Sequence, residues 1–246
     1  MSFVMYKVTQ YLISILYYFC FGSLLLIFHL LQWIALKVLG YNAHKNVVDF
    51  MNFLILRCLN LLGTRITFEN NQSLPLHRPL IFVVNHQSTY DIPPLIWYLR
   101  KYHAKFISKQ ELGRGIPSVS FNLRNGGSVL IDRKNRTKAL EKISAFGKRI
   151  ANKNHAVVLF PEGTRSRDEN VKKFQRGGLT NLMESMPKAL LVPIRIRNSW
   201  KLAQHNYFPL PLGVHLKFKV YPPLAIDLTQ KEQIINVLEN TIRTGD

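Results

Sequence analysis

The sequence predicts an α/β protein with a mostly parallel, mixed sheet flanked by helices. Its active edge lies where the strands end, and an apolar two-helix segment precedes the sheet. Three observations predict this. The runs Leu80–Val84, Ser128–Ile131 and Ala156–Phe160 are short, apolar and rich in β-formers, so they read as buried strands. Between the last two, Leu140, Ile143, Phe146 and Ile150 recur at helical spacing, which makes a β-α-β unit and a parallel pair. The 29 residues from Val8 to Leu36 contain no Asp, Glu, Lys or Arg.

The apolar stretch comes first. As a helix it extends about 43 Å, enough to cross a bilayer. It is too long for a cleaved signal peptide, and no small-residue cleavage site follows it. Gln10, His29 and Gln32 interrupt it, and Val47–Leu62 behind it carries Asp49, Asn52 and Arg57. Two linked helices lying in one leaflet fit this pattern as well as a true span does. Residues 1–63 are therefore expected to attach the protein to a membrane, with 64–246 forming the α/β domain.

Within that domain Ile66–Phe68, Lys105–Lys109, Leu190–Ile196 and Leu216–Tyr221 add strands. Gly177 and Gly178 open a short helix closed by Pro187. Thr229 and Glu232 form a capping box for a last helix whose Ile234, Ile235, Leu238 and Ile242 face inward.

Charge narrows the partners. The chain has 33 Lys+Arg against 14 Asp+Glu, a net +19. From Arg100 to Arg176 there are 19 basic and 6 acidic residues, so +13 of that charge sits in one segment. Such a field attracts phosphates, in nucleic acid, lipid headgroups or small substrates. A nucleic-acid module would interleave aromatics with the basic residues, yet Lys134–Lys173 contains only Phe146 and Phe160, both core-like. Two cysteines, Cys20 and Cys58, make neither a disulfide framework nor a zinc pattern. The eight histidines show no ligand spacing, so no metal is expected.

Three strand ends carry the chemistry. Val84 leads into His86 and, five residues on, Asp91, where Pro93 and Pro94 place a helix start with Asp91 as its cap. A carboxylate folded back on the imidazole would accept the Nδ1 proton and leave Nε2 as a base. No G-x-S-x-G elbow supplies a nucleophile, so such a pair suits a substrate that brings its own hydroxyl. A helix-capping Asp91 beside an ordinary polar histidine is the alternative. Ile131 runs into Asp132-Arg133, and Phe160 into Pro161-Glu162-Gly163-Thr164-Arg165. Parallel strands would bring all three sets to one edge, where open α/β sheets bind ligands. Gly163 permits a sharp turn, and the planar fork of Arg165 suits phosphate oxygens.

These residues resemble the glycerolipid acyltransferases, most closely the bacterial lysophosphatidic acid acyltransferases of the PlsC group. Asn85–Asp91 matches the family's N-H-x-x-x-x-D motif, Gly127–Arg133 looks like its second and Phe160–Ser166 matches its third. Leu191-Val192-Pro193-Ile194 resembles the fourth. Phe174-Gln175-Arg176-Gly177 departs from the usual Phe-Lys-x-Gly, leaving Arg176 as the candidate to supply the missing charge. The resemblance implies transfer of a fatty acyl group from acyl-CoA or acyl carrier protein to lysophosphatidic acid, with no permanently bound cofactor. It implies His86 as base, Asp91 as its orienting partner, and Arg133, Glu162, Gly163, Thr164 and Arg165 around the phosphorylated acceptor. Positive-inside bias is expected to keep the +13 segment, and with it the active edge, on the cytoplasmic side of the cytoplasmic membrane.

Overall fold

The computed structural model describes residues 3–245. Helix α1 (Phe3–Ile34) continues through a π-helical turn (Ala35–Leu39) to Gly40, whose φ of +85° turns the chain into α2 (Tyr41–Leu61). There follow β1 (Arg65–Glu69), β2 (Leu80–Val84), α3 (Ile92–Tyr98), β3 (Lys105–Lys109), α4 (Val119–Asn125) and β4 (Val129–Ile131). The chain ends with α5 (Arg136–Ala151), β5 (Ala156–Leu159), α6 (Arg176–Ser185), β6 (Leu190–Arg197), β7 (His215–Val220), β8 (Leu224–Ala225) and α7 (Lys231–Thr244).

The sheet runs β1-β7-β6-β2-β5-β3-β4, with β8 beside β6. From β6 to β4 every neighbour is parallel, while β7 and β8 run antiparallel to β6. This is the predicted mixed, mostly parallel sheet. β2 and β5 are buried at every position, as expected for central strands covered on both faces. Alternation along β2 separates two cores. Leu80, Phe82 and Val84 pack with α2 and α3, whereas Ile81 and Val83 pack with α5, α6 and α7. The Ile235, Leu238 and Ile242 stripe of α7 is fully buried, as its spacing predicts.

The predicted Thr229–Glu232 capping box does not form. Asp227 caps a short 3-10 turn by accepting from the Thr229 amide at 2.9 Å, and Glu232 instead pairs with Arg176. Asp227 lies two residues before Thr229, and its carboxylate is a stronger acceptor than the threonine hydroxyl. Helix α4 and the 3-10 segment Ser199–Tyr207 had no counterpart in the sequence reading. Both are short and held by contacts distant in sequence.

Of the polar residues that interrupt α1, Gln10 and Gln32 are buried, and His29, though exposed, is tied to the domain by one ring nitrogen. Gln10 Nε2 donates to the Leu210 carbonyl at 3.1 Å, and Ser14 Oγ accepts from the Leu210 amide at 2.9 Å. His29 Nδ1 accepts from the Ser118 amide at 3.1 Å, and Gln32 Nε2 lies 3.4 Å from Met51 Sδ. The outward face carries Val8, Leu12, Ile15, Phe19, Leu26 and Leu30, each at least half exposed. Val4–Leu39 is long and apolar enough to cross a membrane, but one side of it rests on the protein along most of its length.

Candidate active site

Strand β2 is the axis of the site. At its end Asn85 acts as a surrogate peptide: Oδ1 accepts from the Ile196 amide at 2.6 Å and Nδ2 donates to the Ile196 carbonyl at 2.9 Å. The pairing with β6 is thereby extended one residue by a side chain, and the turn that follows is anchored. Ser88, not Asp91, caps the next turn, its Oγ accepting from the Tyr90 amide at 3.1 Å. A 3-10 turn (Thr89–Asp91) then precedes α3.

Asp91 is fully buried, and its carboxylate reaches backward rather than forward into α3. Oδ2 accepts from His86 Nδ1 at 2.8 Å, from the Gln87 amide at 2.7 Å and from the Ser88 amide at 3.0 Å. The capping role expected from the prolines is thus replaced by one in which Asp91 closes the turn on itself. An ionised carboxylate only accepts, so the Nδ1 of a neutral His86 carries the proton and Nε2 keeps its lone pair. The imidazole lies on the Phe160 ring with centroids 4.1 Å apart. Its side chain retains 18% exposure, so the ring is accessible while its orientation is held from two sides.

Strand β5 delivers the second part. Glu162 is 3% exposed, and both its oxygens are taken by backbone: Oε1 by the His86 amide at 2.6 Å and Oε2 by the Lys172 amide at 2.8 Å. Burial pushes its carboxyl up to about 7, against the pull of these two amides and of Lys172. The Ser166 amide returns to the His86 carbonyl at 2.9 Å. The two loops are therefore stitched into one unit.

Gly163 has φ +70°, a left-handed conformation that glycine adopts without strain, and its carbonyl accepts from Arg133 at the end of β4. Arg165 Nη1 donates to the Tyr207 hydroxyl at 2.7 Å, and the Tyr207 carbonyl accepts from Tyr18 of α1. Thr164 is exposed and makes no hydrogen bond among the described residues.

The predicted convergence holds: β2, β4 and β5 are mutually parallel through β3, and His86, Asp91, Arg133 and Glu162–Arg165 all follow their carboxyl ends. Arg176 does not join them, because its guanidinium is bound to Glu232 and Asn236 of α7. The added cation is Lys172, whose Nζ donates to the Arg165 carbonyl at 2.9 Å. Gln175 lies against Gly163, where an added Cβ would meet its side chain at 3.5 Å. Sequence reasoning missed Tyr207, Lys172 and Ser166. Ser166 lies inside the third motif, but Tyr207 reaches the site from a segment with no periodic signal.

The geometry is that of a rigid histidine–carboxylate pair with a free imidazole nitrogen on a basic sheet edge. The Acyltransferase family model matches residues 65–197, more than half of the chain, and the chain belongs to that family. It is 25% identical over 211 residues to a 1-acyl-sn-glycerol-3-phosphate acyltransferase of Cocos nucifera, covering 85% of this chain and 64% of the relative. It is 33% identical over 134 residues to the protein of that name from Helicobacter pylori, covering 51% of this chain and 54% of the relative. The matches span about half to two thirds of the length of such curated relatives. The crystal structure of the 1-acyl-sn-glycerophosphate acyltransferase PlsC from Thermotoga maritima shares the fold, with a TM-score of 0.79, 21% identity and 97% and 95% coverage of the two chains.

Proposed function

We propose that this protein transfers a fatty acyl group from an acyl thioester to the free hydroxyl of lysophosphatidic acid, giving phosphatidic acid. The observation that carries this reading is the His86–Asp91 pair, with Nε2 left as a base on the edge that also bears Arg133 and Arg165. The activity for which these relatives are named supports the choice of acceptor.

In this mechanism His86 Nε2 removes the proton as the acceptor hydroxyl attacks the thioester carbonyl. The C–S bond then breaks, and the thiolate of coenzyme A or acyl carrier protein leaves and is protonated. Asp91 holds the tautomer and stabilises the imidazolium, so no acyl-enzyme forms. Arg133 and Arg165 bind the acceptor phosphate, with Gly163 and Thr164 shaping the loop. Glu162, with both oxygens on backbone amides, positions that loop against His86 rather than touching the ligand. No permanently bound cofactor is required. Holding both substrates on one rigid edge removes entropy from the bimolecular step, an advantage of several kcal/mol.

Residues 1–63 act as the membrane attachment, with 64–246 as the catalytic domain. Because Gln10 and Gln32 are buried against the protein and His29 is held by the Ser118 amide, the helix lies in one leaflet with its apolar face buried among the acyl chains. The catalytic edge then works at the cytoplasmic surface, where the acceptor and product reside. The test is an acceptor panel on purified protein with one acyl donor: lysophosphatidic acid should be used in preference to glycerol 3-phosphate and to other lysophospholipids. Preference for either of those would replace the acceptor while keeping the chemistry.

A further inference from the structure

At the opposite edge, where the strands begin, a second group of charges surrounds a cavity of about 30 Å³. Its walls come from the first turns of α2, the end of the α3 segment, the start of β3 and the Gly126–Ser128 turn. Lys45, Arg100 and Lys105 bring three cations to it, and Asp49 is the one carboxylate in the wall. Lys45 already engages that carboxylate.

Two buried side chains in this wall make no side-chain hydrogen bond among the described residues. His44 is fully buried, and neither ring nitrogen has a hydrogen-bond partner among the described residues. An imidazole always carries at least one N–H, so at least one buried donor is unsatisfied. Lys105 is 8% exposed, and its ammonium makes no hydrogen bond among the described residues. Its stem lies beside Gly127, where an added Cβ would meet Cε at 3.5 Å, and its Nζ sits 5.2 Å from the centroid of the Tyr41 ring. The stem is thus packed on both sides, with the ammonium at the cavity wall. Burial and Lys45 pull Lys105 down to about 8, and burial and Lys105 lower His44. His103 adds another unpartnered buried nitrogen, Nδ1.

Buried charges are ordinarily paired, and buried polar groups ordinarily hydrogen-bonded. A wall of preformed donors and excess positive charge calls for an anion. The size of the cavity narrows the choice: it has room for about two waters, so a large ligand could insert only a compact terminal group.

We propose that this cavity is a binding site for a phosphate-type oxyanion, supplied as free phosphate or as the phosphate of a lipid headgroup. It is separate from the catalytic edge, since Lys105 begins β3 whereas His86 follows the end of β2, and β2 and β3 both run parallel to β5. It is also independent of the reaction proposed above. The apolar turn Val38–Leu39, each residue 71% exposed, directly precedes the α2 residues in its wall, so a bilayer holding α1 would bring headgroups within reach.

The experiment uses the full chain in detergent, with Arg165→Ala as background so that phosphate binding at the catalytic edge is weakened. Radiolabelled inorganic phosphate is measured by equilibrium dialysis at constant ionic strength set with potassium chloride. Binding should saturate, and Lys105→Met should weaken it by about tenfold or more, as expected for a lost charge-assisted contact. Lys45→Met, at the less buried side of the cavity, gives a second variant should Lys105→Met not fold. Phosphatidylcholine vesicles with and without phosphatidic acid then compete for the label. Displacement only by those with phosphatidic acid identifies a headgroup, and no displacement identifies free phosphate. No saturable binding, or equal binding in background and variants, would overturn the site.

Discussion

The two ends of the sheet meet the same problem, buried charge, in opposite ways. At the carboxyl edge Asp91 Oδ2 takes three donors, leaving only Oδ1 without a partner among the described residues, and Glu162 takes two backbone amides. At the amino edge Lys105 and His44 are buried without hydrogen bonds among the described residues. Chain connectivity accounts for part of the difference. The turn after β2 folds over its own carboxylate, so donors only three to five residues away reach it. Lys105 begins a strand whose neighbours at that end are histidines and further cations. The difference teaches where order comes from: the catalytic groups are preorganised by the chain itself, whereas the amino edge has unsatisfied donors that only an added group would complete.

The largest expected effect breaks the catalytic edge at its base. His86→Ala should lower acyl transfer by ~10²–10⁴-fold. Circular dichroism and the thermal midpoint should change little, because the side chain is partly exposed and the Asp91 carboxylate keeps its two amide donors. Wild-type turnover in this variant would remove His86 from the mechanism.

Arg165→Ala comes next. Losing a charge-assisted contact of about 1.5–3 kcal/mol should raise the KM for the acceptor by roughly ten- to a hundredfold, with a smaller change for the donor. Parallel changes in both constants would argue against a dedicated phosphate contact. Tyr207→Phe removes only the hydrogen bond to Arg165, a net contribution of about 0.5–1.5 kcal/mol, and should shift the same constant in the same direction by less.

The smallest effects are in stability, and they sharpen the contrast between the edges by sign. Glu162 is raised from 4.5 to about 7. The unfolded chain therefore loses this proton first, and stability falls as pH rises from about 4.5 to 7. Lys105 is lowered from 10.5 to about 8, so its penalty is present below about 8 and relieved as pH rises towards 10.5. Glu162→Gln should flatten the thermal-midpoint profile only in the acidic window, and Lys105→Met only in the basic one. His155, lowered to about 4 by burial and His103, contributes the opposite slope in the acidic window, so the wild type–variant difference is the quantity to read. A difference of the opposite sign in either window would refute the corresponding assignment.

Sequence alone determined the parallel strands, the three strand ends and the pairing of His86 with Asp91. These rest on local rules: a buried strand is a short apolar run, a β-α-β unit has one direction, and turn residues mark where a strand stops. They reached Ala156–Leu159 to within one residue of the run read as Ala156–Phe160. Local rules failed where two acceptors competed for the same cap, as with Asp227 against Thr229. Tertiary structure alone decided which way the Asp91 carboxylate points, that Arg176 faces α7 rather than the site, and that Tyr207 ties Arg165 to α1. It also decided that Gln10 and Gln32 are buried against the domain and that His29, though exposed, meets the Ser118 amide. The physical reason is that a side chain's partner is chosen by proximity in space. Residues 196 or 200 apart in the chain, such as Ser14 and Leu210 or Gln10 and Leu210, become neighbours only after the sheet has formed.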